Sequence, residues 1–326
     1  MLQSNPEQLV VSIGSLCKAD VVLAGGKGAN LGELSRVGVP VAPGFVVTAP
    51  AYLGFLDAVA VRPRAEQLLA GLDVSDSAAL DHAAEGIQSL ITAAAMLEKI
   101  AAEIAAAYTD LGAGPVAVRS SATAEDLAQA SFAGQQETYL NVIGAAEVVR
   151  AVQKCWASLF EPRAIHYRAG GGFGQLDVGM AVVIQRMVQS ERSGVMFTLH
   201  PVTNDRTRIV IEAVYGLGEA IVSGMVTPDM YVIDKTTGAV IEREVAPQEQ
   251  EFIRKPGASS AEDANHWLDV DWARRACQKL TDEEAAELAA IGRRLEQHFG
   301  CPQDIEWAYE GGAFYILQSR AVTTSS

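Results

Sequence analysis

The chain has 326 residues, 49% hydrophobic and 20% charged, with a formal net charge of −15. That length buries a sizeable core and fits about two domains or lobes, while the acidic balance repels long polyanions and argues against nucleic acid or anionic membrane as partners. Four widely spaced cysteines (Cys17, Cys155, Cys277, Cys301) without CxxC or Cys/His spacing argue against zinc, and no apolar run reaches the ~20 residues of a membrane span. The stretch from Met1 to Gln8 lacks the basic and apolar regions of a signal peptide, so the expected compartment is the cytoplasm.

In chain order, the short apolar runs 9–13 and 21–24 read as strands. Gly25-Gly26-Lys27-Gly28 then leads into a helix from Ala29 to Val37, stopped by Gly38 and Pro40. Gly44 to Val47 reads as a strand, and Thr48 caps a helix through Leu56 with Pro50 in its first turn. Residues 64–108, rich in Ala and Leu, fit two or three helices. Ala117 to Arg119 is a β-run, Ala145 to Phe160 an amphipathic helix, and Pro162 to Tyr167 another helix. After Gly170-Gly171-Gly172 the character changes. Met180 to Val188, Gly194 to Leu199, Arg208 to Ala213 and Met230 to Asp234 are β-runs, and 255–266 reads as a polar surface loop. Thr281 to Glu284 is a capping box whose helix runs to His298, closed by Gly300 and Pro302. The division expected is an N-terminal lobe over 1–178, a sheet-rich C-terminal lobe over 179–322, and a tail at 323–326.

The chemistry concentrates at the C-terminus. Two alternating runs flank Glu310-Gly311-Gly312, a hairpin signal. Asp304 and Glu306 share one strand face and Gln318 and Arg320 share another, because side chains two apart point the same way. If Glu306 stands opposite Gln318, their Cβ atoms are about 5 Å apart, offering hard oxygen ligands to Mg²⁺ beside a guanidinium for phosphate. An ordinary charged surface hairpin satisfies the same pattern.

Gly25 to Gly28 is not a P-loop, since Val21 and Gly28 stand where Gly and Ser/Thr are required. It reads either as a turn presenting N–H groups and Lys27 to an anion, or as a tight turn with a solvated lysine. Arg119 ends an apolar run with Ser120, Ser121 and Thr123 behind it, as ligand-facing residues do at strand ends; the hydroxyls also suit a turn. The Ser131–Thr138 loop contains Gly134, which permits close backbone approach to a phosphate, although on its own the stretch reads better as an ordinary loop. Gln185 interrupts an apolar strand and needs a polar partner, in a ligand or in neighbouring backbone. Glu219, framed by glycines, either reaches a phosphate-bound metal or opens a helix. None of His82, His166, His200, His266 and His298 occupies a catalytic setting, and no GxSxG elbow occurs.

Taken together, five stretches resemble the nucleotide-binding region of phosphoenolpyruvate synthase (pyruvate, water dikinase) and, about as well, that of rifampicin phosphotransferase. They are Gly25–Leu34, Val118–Thr123, Ser131–Thr138, Gly216–Glu219, and Asp304–Trp307 with Leu317–Arg320. They run in family order across nearly the whole chain; each is weak alone and the set is specific. The resemblance implies an α/β (α+β), ATP-grasp-like fold with ATP held between two lobes. It implies that Lys27, Arg119, Gly134, Thr138, Gln185, Glu306, Gln318 and Arg320 contact ATP. Lys27, Arg119 and Arg320 would neutralise phosphates, Gln185 would read the adenine edge, and the Ser131–Thr138 loop would close over the phosphates. Glu306 and Gln318 would hold Mg²⁺ with Asp304 nearby. Arg119, Arg320 and, less firmly matched, Glu219 would serve catalysis.

In the family, a histidine on a separate swivelling domain receives phosphate from ATP, AMP leaves, the γ-phosphate ends on water, and the phosphohistidine passes its group to pyruvate or the antibiotic. None of the five histidines matches the acceptor motif. The chain is therefore expected to carry the ATP half of the reaction, its phosphoacceptor histidine domain supplied in cis in a longer protein or by a separate subunit. A non-catalytic ATP sensor and an ADP-forming ATP-grasp ligase are the competing readings.

Overall fold

A computed structural model describes residues 8–123, 137–170, 174–258 and 263–322. The chain divides into two compact units. The first takes in the chain up to Glu33 and Pro43–Met187; the second takes in Leu34–Ala42, Val188–Ala258 and the described residues that follow.

In the first unit, β1 (Val10–Ser12) leads through two short 3₁₀ turns to α1 (Val21–Arg36). β2 (Gly44–Val47), α2 (Ala49–Ala58), α3 (Val61–Leu69), α4 (Ser77–Ala93) and α5 (Glu98–Asp110) follow, then β3 (Val116–Ala122), β4 (Thr138–Val142), α6 (Ala145–Ala157), α7 (Pro162–Gly170) and β5 (Met180–Arg186). The strands form one antiparallel sheet in the order β1-β2-β5-β3-β4. One face, with Phe45, Val47, Val116, Val118, Val182 and Ile184, packs into a core with Tyr52, Phe55, Ile87, Ile104, Val152 and Trp156 from the helices. The opposite face receives α1: a Cβ at Gly28 would lie 3.2 Å from Val46 Cγ2 and 3.7 Å from Val183 Cγ2. Thr48 caps α2 by accepting from the Ala51 amide.

Residues 21–24, expected as a strand, are instead the first turn of α1, which is interrupted at Gly25 with φ 68° and ψ 175°. Four apolar residues do not distinguish a strand from a buried helical turn. Gly25 is obligatory, because that backbone region is essentially closed to side chains and a Cβ there would fall 2.1 Å from the Ser121 carbonyl oxygen.

In the second unit, β6 (Arg192–Phe197), β7 (Arg208–Tyr215), the one-turn α8 (Glu219–Val222), β8 (Asp229–Asp234) and β9 (Val240–Glu244) precede β10 (Gln250–Arg254), β11 (Asn265–Asp269), α9 (Asp282–Phe299), β12 (Gln303–Glu310) and β13 (Ala313–Ala321). Six strands form an antiparallel sheet in the order β13-β12-β6-β7-β8-β9, and β10 and β11 form a separate ribbon. The expected 255–266 loop thus ends inside a strand, at Asn265 and His266. α9 covers one sheet face, its Gly292 so close to Met196 and Thr198 that a Cβ would meet them at 2.8 and 3.2 Å. The capping box forms as expected: Thr281 Oγ1 accepts from the Glu284 amide, and the Glu284 carboxylate accepts from the Thr281 amide. Burial pushes the Glu284 carboxyl up, but its paired bonds from Arg192 (2.7 and 2.8 Å) and the Thr281 amide outweigh this and hold it below its ordinary value. A fully buried ion pair, Lys279 Nζ to Asp229 Oδ1 at 2.7 Å, ties the segment before α9 to β8.

No helix among the described residues is long and apolar enough to cross a membrane.

Candidate functional site

Two sets of polar side chains stand on sheet faces not used for the main cores, one set in each unit.

In the first unit, Arg119 of β3 is the direct register partner of Thr138 on β4 and of Val183 on β5. Gln185 lies on β5 opposite Ala117 and Gly44. Direct cross-strand partners share a face, so Arg119, Thr138 and Gln185 all lie on the face that receives α1. Gln185 is two residues along the strand from Arg119's partner, about 7 Å away, and only 2% exposed. Lys27 joins this face from α1. Its ammonium donates to the Ser120 carbonyl at 2.9 Å and the residue is 6% exposed. Ser121 fastens the glycine-rich turn to β3, donating to the Ala24 carbonyl at 2.9 Å while accepting from the Gly28 amide at 3.2 Å. The hydroxyls behind Arg119 are therefore in part clamps on the turn. Gly134 and the Ser131–Gln136 part of the loop lie outside the described residues.

In the second unit, Glu306 stands directly opposite Gln318, and Asp304 opposite Arg320. The Asp304 carboxylate accepts from Arg320 Nε at 2.8 Å. The register shifts between Glu306 and Trp307: Trp307 faces Ile316, leaving Leu317 as an extra residue. This bulge reconciles two demands. Phe314, Ile316, Gln318 and Arg320 have one parity in the sequence, yet Ile316 and Phe314 must bury beside Trp307 while Gln318 and Arg320 must join the acidic face. Inserting one residue flips the parity between the two pairs.

The same face continues inward. Glu306 pairs with Val195 on β6, which pairs with Glu212 on β7. Burial pushes the Glu212 carboxyl up, and the nearby Asp304 charge pushes it further. Asp304 is itself raised, by burial first, with Arg320 pulling it down and Glu306 pushing it up. Burial first, and then the neighbouring carboxylate charge, disfavours ionisation of Glu212 and Asp304, and a cation beside them would oppose both effects. Among the described residues no group of three or more His, Cys, Asp or Glu side chains is placed to hold a metal ion by itself. The donor set fits Mg²⁺, which binds through one or two carboxylates and keeps phosphate and water in its shell. Glu219 is exposed at the start of α8, after Gly216 (φ 84°). Glu212 is absent from the residues expected at the site, although it carries the signal that marks Gln185: a polar residue interrupting an apolar strand, Ile209-Val210-Ile211-Glu212-Ala213-Val214.

These features define a mixed α/β protein with two antiparallel sheets, each presenting a face that carries polar and charged side chains. Residues 21–326 match the family described as pyruvate phosphate dikinase, AMP/ATP-binding domain, and the chain belongs to that family. It is 45% identical over 97% of its length to a probable phosphoenolpyruvate synthase of Methanocaldococcus jannaschii, covering 27% of that relative. It is 48% identical over 97% of its length to one from Archaeoglobus fulgidus, covering 42%. A rifampicin phosphotransferase from a Streptomyces species is 43% identical over 97% of this chain, 36% of that relative being covered. The chain thus spans well under half the length of these relatives.

Proposed function

We propose that this chain is the ATP-activating part of a dikinase-type phosphotransferase and that its polar residues act on Mg-ATP. The observation that carries the reading is the direct pairing of Glu306 with Gln318, flanked by the Asp304–Arg320 pair, in a chain of the AMP/ATP-binding family. Lys27 and Arg119 neutralise phosphate charge, Arg320 adds a further guanidinium, Thr138 and Gly134 contact the nucleotide, and Gln185 reads the adenine edge. Glu306 and Gln318 hold Mg²⁺ with Asp304 beside them; the bound ion supplies charge neutralisation at the phosphates. Phosphoryl transfer needs positioning and electrostatic stabilisation more than a protein nucleophile, which accounts for the absence of a catalytic histidine or cysteine setting. Glu219 is the least supported member, as an acid near the phosphate site.

The acceptor in this reading is a histidine on a further domain or subunit. ATP yields AMP, one phosphoryl group on that histidine, and phosphate released to water; the phosphohistidine then serves pyruvate. Pyruvate is preferred to rifampicin because relatives named phosphoenolpyruvate synthase reach 48% identity against 43% for the rifampicin phosphotransferase. The test is to mix the chain with a protein carrying a phosphoacceptor histidine, then follow acid-labile phosphohistidine and nucleotide products. ATP-dependent phosphohistidine with AMP supports the reading. ADP as product would turn it toward a ligase, and calorimetry registering no heat with Mg-ATP would end it.

A further inference from the structure

We propose that the helical part of the first unit holds a small monovalent anion, of halide size, bound by Arg168, Tyr52 and Trp156. Arg168, on α7, has no solvent exposure. Its Nε donates to Gln175 Oε1 at 2.9 Å and its Nη2 to the Leu159 carbonyl at 2.6 Å. Nη1 is buried and has no hydrogen-bond partner among the described residues. The guanidinium stacks over the Phe160 ring, 5.6 Å from its centroid. Two neutral carbonyl oxygens do not balance a full positive charge removed from water, and a buried charge without a counter-charge costs several kcal/mol. No ion pair to Arg168 occurs among the described residues. Burial draws its pKa down to about 10, opposed by Tyr52.

Two further buried polar atoms lie in the same region without partners: the Tyr52 hydroxyl on α2 and Trp156 Nε1 on α6. Both residues are fully buried, and their rings are 5.7 Å apart. Tyr52 lies near enough to Arg168 for the guanidinium charge to be felt at its hydroxyl. Guanidinium and indole N–H groups can only donate, and the tyrosine hydroxyl can donate as well. A ligand that satisfies all three must therefore accept. Water satisfies some of that geometry but leaves the charge uncompensated, whereas an anion meets both demands. The surrounding Phe55, Phe160 and Trp156 rings are fully buried, so the ion must shed its water, which favours a weakly hydrated halide over phosphate. Nothing in the nucleotide chemistry proposed above uses these residues.

The test is a crystal of the full chain soaked in sodium bromide, with data collected at the bromine edge. The expected result is an anomalous peak within hydrogen-bond reach of Arg168 Nη1, Tyr52 Oη and Trp156 Nε1. No peak there, or an ordinary water in its place, overturns the proposal. In solution, raising bromide tenfold above its dissociation constant, at ionic strength held constant with gluconate, is expected to raise the unfolding midpoint by about 2 °C. Arg168→Met should abolish that response. Should that variant not fold, Tyr52→Phe, which keeps the ring, should reduce it. A midpoint indifferent to bromide in the parent, or a parental response in whichever variant folds, refutes the site.

Discussion

Replacing Gly25 with alanine tests whether the glycine-rich turn is built as described. Its backbone, at φ 68° and ψ 175°, is in a region that side chains occupy at a cost of about 1–3 kcal/mol. The new Cβ would also fall 2.1 Å from the Ser121 carbonyl oxygen and 2.3 Å from its hydroxyl, so the turn must move off β3. That movement breaks the bonds from Ser121 to the Ala24 carbonyl and from the Gly28 amide to Ser121, each worth about 1 kcal/mol. The sum is about 3–5 kcal/mol, enough to open this region locally without unfolding the chain. Hydrogen exchange on peptides covering α1 and β3 should accelerate by about two to three and a half decades, while peptides of α9 and β12 keep their protection. Calorimetry should show weakened ATP binding, since Lys27 moves with the turn. Exchange in α1 and β3 within threefold of the parent would refute the close-approach argument.

The remaining predictions concern charge. Arg119→Ala should lower phosphoryl transfer in the intact system by about 10²-fold or more with unchanged circular dichroism; near-normal turnover would remove Arg119 from the site. Glu306→Ala should weaken Mg²⁺-dependent nucleotide binding by about 10–100-fold, measured by titrating the metal at fixed ATP; an unchanged metal requirement counts against a ligand role. Lys279→Met leaves the buried Asp229 carboxylate without its cation and should cost about 3–5 kcal/mol in urea unfolding, much of it regained on adding Asp229→Asn. Because the folded pKa of Glu284 is depressed, its contribution is fully present above the unfolded value of 4.5 and is lost as pH falls through the folded value. Glu284→Gln should therefore destabilise the protein at pH 7 and converge with the parent in acid; a pH-independent difference in stability would contradict the ion-pair account.

Much of the candidate site was legible because its signals are local. The Glu306/Gln318 pairing follows from strand alternation around the Glu310-Gly311-Gly312 turn, and α9 from its capping box. What escaped depended on non-local pairing. β9, with Ile241 to Glu244 largely exposed, and the β10–β11 ribbon lack a buried alternating face, so nothing in their composition marks them as strands. Glu212 carries the same signal as Gln185, but its meaning depends on β7 lying two strands from β12.

The amino-acid sequence alone determined the family, the cation and carboxylate inventory, and the elements whose periodicity, caps and turns are local. Only the tertiary structure decided that α1 bends at Gly25 onto Ser121, that a bulge at Leu317 turns Gln318 and Arg320 away from the core, and that Glu212 joins Asp304. The physical reason is that caps and alternation are fixed by neighbours a few residues away. Strand register, face parity and the company a buried charge keeps are instead fixed by partners as far away in sequence as Gly44 is from Gln185.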